Sequence, residues 1–163
     1  PADVETRWRE LEALHPASYA WARACAPHDA DDVLQAAYAK VLEGRARFEG
    51  RSCFKTWLFG VIRMTAREQR RAAWLRMLRF EPLQHEPEAP ATPPPGDAKR
   101  LLAAMARLFE RQREVIHLVF YEDLSVEEAA DAMGVGVGSA RTHHHRGKKR
   151  LAGLPPEREG LER

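Results

Sequence analysis

Apolar residues recur along this chain at three- and four-residue intervals, the spacing that gives a helix one buried stripe. In DADDVLQAAYAKVLEG, Val33, Leu34, Ala37, Tyr38, Val41 and Leu42 form such a stripe, and Asp32, Gln35 and Glu43 lie on the opposite face. Asp29 can cap the start of that helix and Gly44 can end it. The stretch CFKTWLFGVIRMTAREQRRAAWLRMLRF predicts a second long helix, apolar early and basic later, with Gly60 as a mildly weakening position. Further on, Leu101, Met105, Leu108 and Phe109 make one stripe and Val115, Ile116, Val119 and Phe120 another. No alternating strand pattern and no internal repeat is visible, so the expected class is all-α.

The last predicted pair is the most specific. In LSVEEAADAMGVGVGSARTHHHRGKKRLAG, Ser125 followed by Glu128 is a capping box, and Gly134 is a natural helix C-cap. Ala129, Ala130 and Met133 supply a small-residue inner face, and Ala140 faces it from a second helix over 138–151. Small residues let two helices approach closely, and the pattern fits a helix-turn-helix. Its second helix then offers Arg141, Thr142, His145, Arg146, Lys148 and Lys149 to a major groove. A helix pair with no DNA role has the same apolar pattern.

Between the two sets of helices, residues 80–97 (FEPLQHEPEAPATPPPGD) hold six prolines and no lysine or arginine. Such a segment favours extended backbone and reads as a linker that can reach on the order of 55 Å. The expected organisation is a first domain over 1–79, the linker over 80–97, a second domain over 98–154 and a short tail over 155–163, the domains sitting on a semi-stiff tether.

Charge sharpens this picture. The net charge of +2 hides two basic blocks. Residues 45–79 carry ten Lys or Arg against two acids, and residues 134–151 carry five against none. Clustered cations suit a polyanion, because neutralising phosphates releases counterions; two solvated basic faces are the plainer alternative. No apolar run approaches the ~20 residues of a membrane span, so no membrane insertion is expected. The polar, mixed-charge start PADVETRWRE lacks the apolar run of a signal peptide, and none is expected there. Cys25 and Cys53 give no disulfide framework and no zinc pattern, and two unpaired thiols in the cytoplasm are expected. Consecutive helical residues point about 100° apart, so His143, His144 and His145 do not converge on one metal. One imidazole is expected to pack inward, the others to face DNA or solvent. No catalytic residue, metal site or cofactor is expected.

Three stretches in order, DADDVLQAAY, FEGRSCFKTWLFGVIRMTAREQRR and SARTHHHRGKKRL, resemble the extracytoplasmic-function sigma factors, the small two-domain branch of the sigma-70 family. The resemblance covers roughly 10–79 and 98–153. It implies an alternative sigma factor, bacterial and cytoplasmic, that binds core RNA polymerase at its large-subunit clamp helices and flap. It also implies recognition of promoter DNA at the −10 and −35 elements, assistance in melting, and an anti-sigma factor as a possible further partner. Asp31, Asp32, Gln35 and Glu43 would bind the polymerase. Phe48, Gly50, Arg51, Ser52, Lys55, Trp57, Arg63, Arg67, Arg70 and Arg71 would take the −10 element, the loop cradling a flipped base and Trp57 wedging the duplex. Ser139, Arg141, Thr142, His145, Arg146, Lys148 and Lys149 would take the −35 element. Met64 stands where family members often carry asparagine, and Leu58 where primary sigma factors have a second tryptophan. Strand opening would then depend on a well-matched promoter.

Two rival readings need different residues. A stand-alone helix-turn-helix regulator needs a dimer seam or a sensory domain, and no heptad run or ligand-domain pattern is present. A nuclease or recombinase needs acids or nucleophiles beside the basic block, and Glu49 and Glu68 are the only acids in 45–79.

Overall fold

The computed structural model describes residues 2–79 and 96–153, and no strand occurs among them. The first half holds α1 (Ala2–Ala13), α2 (His15–Cys25), α3 (Ala30–Leu42) and α4 (Phe54–Leu78). The second holds α5 (Asp97–Ala106), α6 (Glu110–Ile116), a π-helical segment (His117–Tyr121), α7 (Val126–Met133) and α8 (Val137–Ala152).

In the first half, α2, α3 and α4 pack together around Trp21, which is fully buried. Its indole Nε1 donates to the Phe59 carbonyl at 2.9 Å and its ring stacks on Phe59 at 5.9 Å. Val33, Leu34, Ala37 and Val41 of the α3 stripe are buried against this centre, as expected from their spacing. Asp29 takes the N-cap position of α3, and Gly44, at φ 72°, turns the chain away after it. α4 runs unbroken through Gly60 because the flanking Leu58, Phe59 and Ile62 are completely buried. A helix so anchored by packing tolerates one residue of low intrinsic propensity.

In the second half, the predicted helix-turn-helix forms. Ser125 Oγ accepts from the Glu128 amide at 3.1 Å, and the Ser125 amide donates back to the Glu128 carboxylate at 2.8 Å. Gly134 ends α7 in the left-handed region at φ 63°. Ala129, Ala130 and Ala140 are each 1% exposed or less, so α7 and α8 meet through small side chains. The π-helical segment, by contrast, carries no mark in the hydrophobic pattern. The expected stripes there are only partly covered: Leu108, Val115 and Ile116 are buried, whereas Leu101, Phe109 and Phe120 are exposed.

The halves do not stand apart. α7 packs on α4, and both α6 and the π-helical segment touch α2. A single buried cluster joins Trp21, Leu58, Phe59 and Ile62 to Val115, Leu118, Ala129 and Met133. The expected proline-rich tether lies, except for Gly96 and Asp97, outside the described residues, as do Leu154 and the expected tail over 155–163. No helix among the described residues is long and apolar enough to cross a membrane.

Candidate polymerase and nucleic-acid interfaces

α3 presents its polar face to solvent. Asp31, Asp32 and Gln35 are exposed along its first turns, and the two acids lie four and three positions before Gln35, so both neighbour it on one side of the helix. Glu43, at the C-cap, is exposed about three turns further along and pairs with Arg45 at 2.6 Å. The acids at the start of α3 also suit the positive end of the helix dipole.

The loop before α4 builds an aromatic cluster. Phe48, Phe54 and Trp57 lie with ring centroids 5.3–5.4 Å apart. The Arg7 guanidinium of α1 sits over Phe48 and Phe54 at 5.6 and 5.0 Å, a cation–π arrangement. All three rings are half-buried, so Phe54 and Trp57 carry both packing and a reachable face. Gly50, at φ 71°, makes the turn that folds the loop back. Arg51 is exposed and pairs with Glu49 at 2.7 Å, and Ser52 Oγ donates to the Cys53 carbonyl at 3.2 Å.

Along α4 the cations divide. Arg67, Arg70 and Arg71 are exposed and, with Trp74 and Glu110, line an open pocket of about 330 Å³. Arg70 donates to Glu110 Oε1 at 2.7 Å and to the Cys25 carbonyl at 3.0 Å. The Arg70 hydrogen bond holds the Glu110 carboxyl below its ordinary value, against the opposing effect of partial burial. Lys55 reaches the Glu122 carbonyl at 2.8 Å and its carboxylate at 3.2 Å. Burial pushes Glu122 up, but His117 and Lys55 together outweigh it and the carboxyl lies below its ordinary value.

Arg63 departs from the expectation. Its Nε and Nη2 donate to the two Glu114 carboxylate oxygens at 2.9 and 3.0 Å, and Nη1 donates to the Met133 carbonyl at 2.7 Å. With 5% of its surface exposed, it is not among the solvent-facing cations of α4 in this conformation. The amphipathic pattern gave no warning, because the partners come from α6 and α7.

α8 places its expected residues together. Ser139, Arg141, Thr142, His145, Arg146, Lys148 and Lys149 are all exposed. Arg141 pairs with Glu127 of α7 at 2.7 Å, and Thr142 Oγ1 donates to the Gly138 carbonyl at 3.0 Å. His143 and His144 are half-buried, and His144 stacks on Phe120 at 5.6 Å, while His145 faces out. Desolvation, helped by nearby cations, lowers the pKa of His143 and His144 below the usual 6.5. The sequence reading missed Gly147, which is buried where an added Cβ would lie 3.0 Å from Ile116 Cγ1. A glycine inside an otherwise regular helix was the available signal. Trp74, exposed beside the arginines, was also missed.

Two family patterns fall on these two halves. Residues 11–76 match Sigma-70 region 2, and residues 98–151 match Sigma-70, region 4. The sigma factor CarQ of Myxococcus xanthus is 31% identical over 135 residues, covering 80% of this chain and 76% of that protein. The chain belongs to the sigma-70 family. The ECF sigma factor SigX of Bacillus subtilis is 30% identical, covering 74% of this chain and 68% of its own length, which places the chain in the extracytoplasmic-function branch. The sigma factor RpoE of Bartonella quintana, solved with the anti-sigma factor NepR, superposes with a TM-score of 0.67 at 26% identity, covering 88% of this chain and 92% of that one. CnrH, solved with the cytosolic domain of CnrY, shares the fold with a TM-score of 0.62 at 22% identity, covering 91% and 86%. The two basic faces therefore belong to an alternative sigma factor, which directs RNA polymerase to promoters.

Proposed function

We propose that this sigma factor divides its work among three faces. Asp31, Asp32, Gln35 and Glu43 engage core RNA polymerase at the clamp helices of its large subunit. A carboxylate there accepts charge-assisted hydrogen bonds from a basic partner. The loop of Phe48, Gly50, Arg51 and Ser52, with Trp57, receives an unstacked base of the −10 element, and Lys55, Arg67, Arg70 and Arg71 hold its phosphates. On α8, Ser139, Arg141 and Thr142 lie nearest the −35 bases. His145, Arg146, Lys148 and Lys149 anchor the adjoining backbone. The protein acts in the bacterial cytoplasm through binding alone, with no reaction of its own, and an anti-sigma protein restrains it.

The observation that carries this reading is the pairing of an exposed acidic face on α3 with separate exposed cationic rows on α4 and α8 of one chain. Neither a stand-alone regulator nor a nuclease needs the first of these. The test is run-off transcription from upstream DNA with this protein alone, core polymerase alone, and both together. Promoter-specific transcripts are expected only from the combination, and Asp32→Ala with Gln35→Ala abolishes them. Specific duplex binding by the protein alone, with no effect on polymerase, would replace this reading with the stand-alone regulator.

A further inference from the structure

The last buried residue of α4 is Ala66, and the helix runs on for about three more turns to Leu78. Arg70 still reaches the Cys25 carbonyl and Glu110, but among the described residues no later side chain of α4 makes a hydrogen bond or ion pair. The segment stays helical because alanine, leucine, methionine and arginine are strong helix formers. It carries four large apolar side chains in water: Trp74, Leu75, Met77 and Leu78 are 59%, 41%, 66% and 55% exposed. At 100° per residue they occupy an arc of about 160°, and Arg76 and Arg79 fall outside it. Residues 69–79 hold four arginines and no acid. The acids that approach this segment, Glu68 and Glu110, are paired with Lys40 and Arg70.

We propose that this projecting end of α4 is a docking face for an anionic lipid bilayer, lying along the headgroups with its apolar arc turned into the acyl boundary. Charge and apolarity together choose that partner. A nucleic-acid backbone would satisfy the arginines and leave Leu75, Met77 and Leu78 in water. A second copy would cover the apolar arc but bring two sets of arginines together with no acid of the segment between them. An anionic interface takes both. Arginine stems snorkel toward lipid phosphates, the indole sits at headgroup level, and the aliphatic side chains enter the boundary. The segment is far shorter than the ~20 residues a span needs, so the helix rests on the surface and does not cross it. Arg67 and Arg71 lie on the same side of α4 as Trp74, toward the body, where headgroups meet them too. On the −10 assignment given above, bilayer and promoter then compete for these two cations; the docking itself does not depend on that assignment.

The test is sedimentation of the full chain with vesicles of phosphatidylglycerol and phosphatidylcholine, and with vesicles of phosphatidylcholine alone. The wild type should sediment with the anionic vesicles only, and less as salt is raised. Its tryptophan emission should shift to the blue on binding, and Trp74→Phe should remove most of that shift while keeping the sedimentation. Trp74→Ala with Leu78→Ala should weaken binding by more than about tenfold, and Arg76→Gln with Arg79→Gln on the order of thirtyfold. All four side chains are exposed, so both variants should keep the wild-type circular dichroism. Non-specific duplex DNA binding without vesicles should change less than about twofold in the apolar variant. No sedimentation with anionic vesicles overturns the proposal, and so does sedimentation indifferent to the apolar variant. In the first case, lost duplex binding in that variant assigns the face to nucleic acid, and a concentration-dependent dimer that it abolishes assigns the face to a second copy.

Discussion

The Arg63 guanidinium of α4 and the Glu114 carboxylate of α6 form a two-bond ion pair, 2.9 and 3.0 Å, with side chains 6% and 3% exposed. Removing one member leaves a buried charge without its partner, which costs ~3–5 kcal/mol where the surroundings cannot open. Replacing both by apolar residues of similar size is close to neutral. Glu114→Leu is therefore expected to lower the melting temperature more than Arg63→Met with Glu114→Leu does. Thermal denaturation of the two variants checks this, and equal losses would show that the pair is solvated in solution.

Gly147 and Gly138 lie on the same helix in opposite surroundings. A Cβ at Gly147 meets Ile116 at 3.0 Å, whereas nothing lies within 4 Å of one at Gly138. Gly147→Leu should destabilise the protein by ~1–3 kcal/mol through overpacking. Gly138→Ala should be neutral or add up to ~1 kcal/mol of helix propensity. Urea denaturation separates the two.

The capping box on α7 gives a third expectation. Ser125→Ala removes the acceptor of the Glu128 amide and is expected to cost ~1 kcal/mol, with Ser125→Asp recovering most of it. Chemical denaturation of both variants tests the claim.

The histidines titrate against stability. His143 and His144 have lowered pKa values, so the folded protein binds fewer protons than the unfolded chain. Stability from these groups is fully present above their ordinary 6.5 and is lost as pH falls through the lowered folded values. His144→Phe keeps an aromatic ring against Phe120 and removes one of the two titrations. Its melting temperature should fall less than that of wild type as the pH is lowered below 6.5.

The thiols differ in access. Cys25 is buried and Cys53 exposed. A thiol-specific reagent should modify one cysteine quickly in the native protein and the second only after denaturation.

How much of this was legible beforehand follows the range of the interactions. The α7–α8 unit is written in local sequence: a cap and its partner three residues apart, a left-handed glycine, and alanines at the crossing. The α3 face was equally readable, because Val33, Leu34 and Ala37 fix which way Asp32 and Gln35 point. The contact between the two halves was not. Arg63 and Glu114 are 51 positions apart, and nothing in either stretch names the other. A basic helix face reads as a nucleic-acid surface whether or not an acidic helix covers it. The proline-rich segment argued for separation, since composition speaks to stiffness and reach but not to what the joined halves do. The π-helical segment depends on backbone hydrogen bonds such as Glu122 N to His117 O, which side-chain periodicity does not record.

The central claim is that one chain places α4 and α8 on two separate promoter elements. Footprinting of the holoenzyme on a promoter that supports transcription tests it most directly, using wild type, Arg67→Ala with Arg71→Ala, and Arg141→Ala with Arg146→Ala. The account expects the α8 variant to lose upstream protection first and the α4 variant to lose the downstream, strand-opened region. Loss of the same protected region in both variants would contradict it.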